Sequence, residues 1–336
     1  MAVTIRDLAR ATGVSISTVS RVFTSPDKVA EPTRTVVQQA AQQMGYEPNR
    51  AARGLITGRT GCIGLVVPDL ENPFFGSIGK GVQDRARALG YPVFIADSDE
   101  DPKLEAELVR SIAKQVDGVI LCSARGSAES VKELALSTPM VLVNRVVDGV
   151  LSVSFDNAGG VNAIMRHLIA LGHRRIAYVG GPVTSWSSGK RAHAFREFGA
   201  VTEGLTLLEL GNFPPTVSGG VQAADLAIAS DVTAVVAYND LMAVGLIDLL
   251  GQRGLAVPDD ISVASFDNAP VASMVRPALT SVDLPRVQAG RVSVDALLDA
   301  LLGRNTDAPP PEDIAVELMV RQSTGVVPSK AARGSS

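Results

Sequence analysis

Cysteine is scarce: the 336 residues hold two, Cys62 and Cys122, each at the edge of an apolar strand-like run. Two distant thiols build no disulfide framework, and both read as buried free thiols. Histidine is nearly as rare. His167, His173 and His193 have no metal-ligand spacing with each other or with the cysteines, so each reads as a surface or capping residue. No apolar run reaches the length needed to cross a membrane. The start, Met1-Ala2-Val3-Thr4, leads into a helical pattern carrying Arg6, Asp7 and Arg10 and lacks the apolar stretch of an export signal, which places the chain in the cytoplasm. Nucleotide and catalytic signatures are missing as well. Gly76, Gly79 and Gly81 stand in the wrong order for a dinucleotide fingerprint, and Gly181 to Gly189-Lys190 is too widely spaced for a phosphate loop and continues into Arg191. Without a nucleophile elbow or a paired-acid signature, the chain reads as a binding protein with no cofactor and no metal.

What is present is charge asymmetry. Up to residue 60 there are eight Lys or Arg against four acids, a surplus of four positive charges; with a net charge of -4 for the whole chain, the remainder carries eight negative ones. A basic head on an acidic body suits a nucleic-acid binder whose affinity falls with salt.

That head opens with two short helices around a glycine turn, in VTIRDLARATGVSISTVSRV from Val3 to Val22. Thr4, three residues before Asp7, resembles a capping box, with a first helix starting near Ile5 and broken at Thr12 and Gly13. Ser15 caps a second, which turns Val19, Val22 and Phe23 inward and Ser17 and Arg21 outward. A short cationic face of this kind fits a major groove. Arg21 matches guanine O6 and N7, Ser17 either base, Thr18 and Ser20 phosphates, and Ile16, in the first turn, a thymine methyl. Two amphipathic helices and a glycine turn also describe an ordinary helical corner of a globular core. A third helix follows from Pro32 to Met44, stopped by Gly45. Asn49 to Leu55 is too short for a stable free helix, but Asn49 caps it and Arg50 and Arg53 share a face; a plain linker is the other reading, and Gly54 lowers the helix propensity.

The run Val3-Thr4-Ile5-Arg6-Asp7-Leu8-Ala9, then Gly13-Val14-Ser15, Thr18-Val19-Ser20-Arg21-Val22 and Gly45-Tyr46-Glu47-Pro48-Asn49, resembles the headpiece of the lactose-repressor (LacI) family of bacterial transcription regulators. The likeness extends over nearly the whole chain. It implies that Ile16, Ser17 and Arg21 read bases while Ser15, Thr18 and Ser20 support them or hold phosphate, with Thr4 counted among the DNA-contacting residues. It further implies that residues 49–60 form a hinge, whose Leu55 wedges into the minor groove across a dimer axis. The family commonly has Ser where Ala30 stands, so the third helix loses a cap.

From Gly61 the pattern alternates short apolar runs with helical stretches. Ile63–Val67, Val93–Ala96, Gly118–Leu121 and Val141–Val143 form one series of strands. A second series follows Asp156, at Ile176–Val179, Ala234–Ala237 and Ile261–Ala264. Two parallel-sheet α/β subdomains follow from this, and the family resemblance makes them a bilobed body like a periplasmic binding protein. The expected division is an all-α helix-turn-helix head at 1–48, the hinge at 49–60, an effector-binding and dimerisation body at 61–328, and a polar tail at 329–336. The first lobe takes about 61–156 plus 285–315 and the second about 157–284 plus 316–328, with Arg321–Gly325 as the last strand.

Ligands collect beyond the carboxyl ends of parallel strands, so two facing lobes share a cleft. Phe74, Phe75 and Asn144 lie on such loops of the first lobe, Asp156 opens the second, and Ser185, Trp186, Ser187, Arg191, Asn239 and Asp267 follow its strands. Within the resemblance, Asp156, Arg191, Asn239 and Asp267 match effector-binding positions of sugar-responsive members, and Phe74, Trp186 and Phe213 lie at or near positions that pack on the ring. Taken singly, each acid is as readily a loop cap. Asn144, where Asp is frequent, and Ala194, where Gly is frequent, depart from the pattern and bear on which effector binds. The resemblance implies a dimer on near-palindromic operator DNA, most simply a repressor under allosteric control by a sugar-like effector. A nucleoside or purine corepressor and a bilobed solute receptor are the alternatives. No leucine heptad follows Gly325, so no tetramer-forming helix is expected.

Overall fold

The computed structural model describes residues 3–24, 26–46, 59–304 and 313–327. The chain divides into two compact units, one holding the first 61 residues and the other nearly all that follows. The described part of the first is helical: α1 (Ile5–Thr12), α2 (Ile16–Thr24) and α3 (Glu31–Met44), with a 3-10 turn at Pro26–Lys28. Gly13 ends α1 with a φ of 69°, which glycine adopts without strain. Leu8, Ala9, Val19, Val22, Val37 and Ala41 form its buried core, a small one for three helices. α3 starts one residue earlier than Pro32, and Ala30 before it makes no side-chain cap.

The larger unit holds two sheets. In the first lobe the strands β1 (Ile63–Val67), β2 (Val93–Asp97), β3 (Gly118–Cys122), β4 (Met140–Val143) and β5 (Ser152–Val153) are parallel, in the order β2-β1-β3-β4-β5. Its helices are α4 (Pro73–Ala88), α5 (Pro102–Ile112), α6 (Ala128–Ser137) and, returning late in the chain, α12 (Arg286–Leu301). β1, β3 and β4 are buried at every residue, as strands covered on both faces are.

In the second lobe, β6 (Arg175–Gly180), β7 (Thr206–Asn212), β8 (Ala234–Ala237), β9 (Ser262–Asp267) and β10 (Thr280–Asp283) are parallel, and β11 (Glu317–Met319) closes the edge antiparallel to β10. The helices are α7 (Asn157–Ala170), α8 (Trp186–Ala200), α9 (Val217–Ala229), α10 (Asp240–Gln252) and α11 (Pro270–Met274). The strand order reverses between β1 and β3 in one lobe and between β6 and β8 in the other, the two places where loops part to leave a crevice.

Three expectations change. Among the described residues the last strand is Glu317–Met319, not Arg321–Gly325. The latter segment is turn and loop, tied to β9 at one residue: the Ser323 carbonyl accepts from Val263 N at 2.8 Å and its hydroxyl donates to the Val263 carbonyl at 2.6 Å. His173 is not a surface residue: it is fully buried, its ring nitrogens 2.9 Å from the Thr233 hydroxyl and 3.0 Å from the Gly325 carbonyl, and burial lowers its pKa. Of the two free thiols, Cys122 is buried and pushed up to about 12 by loss of solvent, while Cys62 is only half-buried.

Candidate DNA-reading face and effector cleft

In the helical unit the capping box at Thr4 is closed: Thr4 N donates to Asp7 Oδ2 at 3.0 Å and Asp7 N donates to Thr4 Oγ1 at 3.3 Å. The Thr4 hydroxyl and the Thr4 N–H, both donating to the Asp7 carboxylate, hold it below its usual range. Ser15 Oγ accepts from Thr18 N at 3.1 Å and lies 2.8 Å from both the Ser17 and Thr18 hydroxyls, so the first turn of α2 is fixed before any ligand arrives. With Val19 and Val22 buried, Ser15, Ile16, Ser17 and Arg21 stand exposed and Thr18 and Ser20 half-exposed. Ile16 is 47% exposed, an apolar side chain among exposed polar ones. Thr4 is exposed too, its hydroxyl committed to Asp7 at 2.7 Å. Asn49, Arg50, Arg53 and Leu55 lie outside the described residues.

In the body, a cavity of about 10 Å³ is enclosed between the lobes. The first lobe contributes Asn72, Phe74, Phe75, Arg125 and Asn144, and the second Arg191, Pro215, Tyr238, Asn239 and Asp267. Their positions follow from the strand ends. Asn72 caps α4 beyond β1, and Phe74 and Phe75 fill that helix's first turn with their rings edge-on at 5.1 Å. Asn144 follows β4 at a φ of 58°; its Nδ2 donates to Ser123 Oγ at 2.8 Å, and its Oδ1 is buried with no partner. Asn239 caps α10 beyond β8, accepting from Met242 N and donating to the Pro215 carbonyl.

Arg191 is 1% exposed. Its Nε donates to Asn157 Oδ1 at 2.9 Å and its Nη1 to the Tyr238 carbonyl at 2.6 Å, while the guanidinium lies 4.1 Å from the Phe266 ring centre. Asp267 ends β9 at a φ of 105°, and burial raises its carboxyl, with Arg191 opposing and Asp240 reinforcing the shift. Asp240, buried behind it, is raised by burial against bonds from the Ser265 and Ser281 hydroxyls and Ala269 N.

Of the expected effector residues, Phe74, Phe75, Asn144, Arg191, Asn239 and Asp267 thus converge. Ser185 and Ser187 stand behind them, 3.0 and 3.2 Å from the Tyr238 hydroxyl, and position that ring. Asp156 and Trp186 do not join the group. Asp156 caps α7, accepting from Gly159 N at 2.7 Å, and lines a separate, wider groove with Trp186, whose indole faces the Lys190 ammonium at 5.3 Å. Phe213 borders a third hollow with Asp69, Asp97 and Glu100. Sequence reasoning missed Asn72, Arg125 and Tyr238. Each lies within a few residues past a strand end, and the Asn72-Pro73 pair was a readable helix start. Among the described residues no cluster of His, Cys, Asp or Glu is arranged to hold a metal, and no helix is long and apolar enough to cross a membrane.

The two parts match two protein families: residues 4–49 match bacterial regulatory proteins of the lacI family, and residues 165–324 match the periplasmic binding protein-like domain. Catabolite control protein A of Priestia megaterium is 33% identical over 96% of this chain and 100% of its own. Among solved structures, the Lac repressor dimer bound to operator and the anti-inducer ONPF superposes with a TM-score of 0.84 at 26% identity, covering 97% of this chain and 100% of that one. The CelR–cellobiose complex, a transcriptional regulator, does so with a TM-score of 0.69 at 31% identity, covering 96% and 99%. A helix-turn-helix head, two parallel-sheet lobes and relatedness along nearly the full length agree, and the chain belongs to the LacI family of bacterial regulatory proteins.

Proposed function

We propose that this protein is a transcriptional repressor of the cytoplasm that binds a near-palindromic operator as a homodimer and is controlled by a small sugar-like effector in the interlobe cleft. It acts through binding equilibria and turns over no substrate. The observation that carries the reading is the coexistence in one chain of a pre-capped helix exposing Ile16, Ser17 and Arg21 and of a cleft into which Arg191, Asn239 and Asp267 converge from one lobe and Phe74 and Asn144 from the other. The Lac repressor structure is of a dimer on operator DNA, and the CelR structure holds cellobiose, which supports both halves. Ligand pockets usually measure roughly 300–1,000 Å³. A cavity of about 10 Å³ therefore admits an effector only when the lobes part, and the ligand favours whichever lobe arrangement it fits better.

The test is operator binding by full-length protein on a palindromic duplex from its own genome and on scrambled duplex. Arg21→Ala is expected to cost about 1–3 kcal/mol of discrimination between the two, the worth of one bidentate base contact. Arg191→Ala is expected to leave operator affinity in place and remove the response to effector. Equal binding of both duplexes by the unaltered protein would sink the proposal.

A further inference from the structure

The cleft has a charge rule of its own, which rests on the effector reading above and narrows it. Two arginines line the cavity, and both are engaged by groups of the protein itself. Arg125 gives Nη2 to Glu100 Oε1 at 2.7 Å, Nε to the other oxygen of that carboxylate at 2.5 Å and Nη1 to the Ser123 carbonyl at 2.9 Å. Its backbone N donates to Glu105 Oε2 at 2.7 Å, which brings a second carboxylate to the same residue. Arg191 is committed to Asn157 and to the Tyr238 carbonyl and faces the Asp267 carboxyl.

The remaining polar edges are acceptors. Asn144, 3% exposed, presents a buried Oδ1 without a partner, and Asp267 presents its carboxyl. Asn239 has both amide atoms bonded, and the Asn72 Oδ1 holds Phe74 N. The approach to this cavity carries the same sign. Next to it, sharing Pro215, is a hollow of about 710 Å³ lined by Asp69, Glu71, Asp97, Asp99 and the Glu100 that grips Arg125, with no Lys, Arg or His in its lining. Burial already raises Asp69, and Asp97 and Glu100 raise it further, so another negative charge there meets an existing excess.

A phosphate carries about −1.5 to −2 charges and binds where several charge-assisted donors converge on it. Here one guanidinium is closed by Glu100, the other gives Nε and Nη1 to the protein and lies beside the Asp267 carboxyl, and the Asn144 Oδ1 wants a hydrogen. We infer that the effector is an uncharged, hydroxyl-rich molecule, and that the phosphorylated forms of the same sugars are refused. A neutral polyol supplies O–H donors to Asn144 Oδ1 and Asp267 and asks only a hydroxyl acceptor's share of Arg191.

The experiment is a melting-temperature screen of the full-length protein against matched pairs at fixed ionic strength: glucose and glucose 6-phosphate, ribose and ribose 5-phosphate, fructose and fructose 1-phosphate, cellobiose and its phosphate. Any sugar that raises the melting temperature is expected to do so in its neutral form, with the phosphorylated partner at least tenfold weaker by calorimetric titration. The gap should narrow as salt is raised and in the E71Q D99N double variant, because both weaken the repulsion at the mouth. A phosphorylated member binding as tightly as its neutral partner, or more tightly, overturns the inference while leaving the sugar reading intact. Silence from the entire panel counts against the sugar reading itself and takes the charge rule with it.

Discussion

Asp267 combines two costs in one residue. A non-glycine φ of 105° lies in the left-handed region that L side chains avoid, and the carboxyl is 6% exposed. Asp240 crowds it from behind, Arg191 and Arg286 offset part of the charge, and Arg286 itself has Nε and Nη1 buried without partners. Burial pushes Asp267 up to about 7, well above the roughly 3.9 of an unfolded aspartate. Between those values the folded protein holds a proton that the unfolded chain has released, so this group's contribution to stability falls as pH rises from about 4 towards 7. The proton is shared across the Asp240–Asp267 pair, so the slope belongs to both. Asp267→Asn is therefore expected to flatten the decline. Urea midpoints of the two proteins at pH 5 and pH 8 test it: the unaltered protein should lose more stability over that interval than the variant, and equal losses would refute the assignment.

Helix packing in the body depends on glycines where backbones touch. A Cβ on Gly290 of α12 would land on the Ile78 carbonyl of α4, and one on Gly81 of α4 would land on the Val287 carbonyl of α12, so each helix supplies the gap the other needs. Gly290→Ala is expected to cost about 1–3 kcal/mol, the usual penalty of overpacking, seen as a lower urea midpoint with an unchanged slope. Gly251→Ala, near the end of α10 with open space around it, should stabilise by about 0.4–1 kcal/mol. If the two substitutions behaved alike, backbone contact would not be the reason for Gly290. Such contacts are invisible in a single sequence, whereas amphipathic spacing and alternating apolar runs are not. That is why α1, α2 and the buried strands β1, β3, β4, β6, β8 and β9 were legible, and why β7 and β10 were not. Thr206–Asn212 is a half-exposed edge whose polar residues hide the strand, and Thr280–Asp283 buries Thr280 and Ser281 through hydrogen bonds that hydropathy does not register. The same limit governs the site. Parallel-strand ends predicted where Arg191, Asn239, Asp267 and Phe74 converge, but not that the Asp156 cap of α7 and Trp186, the first residue of α8, turn to another groove, because a helix start fixes a position and leaves the side chain's direction open.

At the scale of the whole molecule, regulation must obey linkage. The chain passes between the lobes at Phe155–Asn157, at Leu284–Arg286 and a third time ahead of β11, where the Ile314 N–H donates to the Ser154 carbonyl and its carbonyl accepts from Asp156 N, tying the third crossing to the first. Crossings this few would let the lobes change their relation without disturbing either sheet, which is what the proposed control by a cleft ligand requires. A ligand of the cleft shifts operator affinity only as far as it distinguishes those arrangements, and the coupling in comparable systems is about 1–3 kcal/mol, or roughly 5–150-fold. Reciprocity then follows with no further assumption about mechanism. Whatever factor the neutral sugar from the melting screen imposes on operator affinity, saturating operator must impose on the affinity for that sugar, in the same direction. Measuring operator binding with and without the sugar, and sugar binding with and without operator DNA, gives the factor twice. Agreement within error is expected in the unaltered protein, and a factor of one from both sides in Arg191→Ala. A sugar that alters operator affinity tenfold while operator leaves its own binding unchanged is not acting through a shared equilibrium, and the cleft would then be the wrong place to look for control.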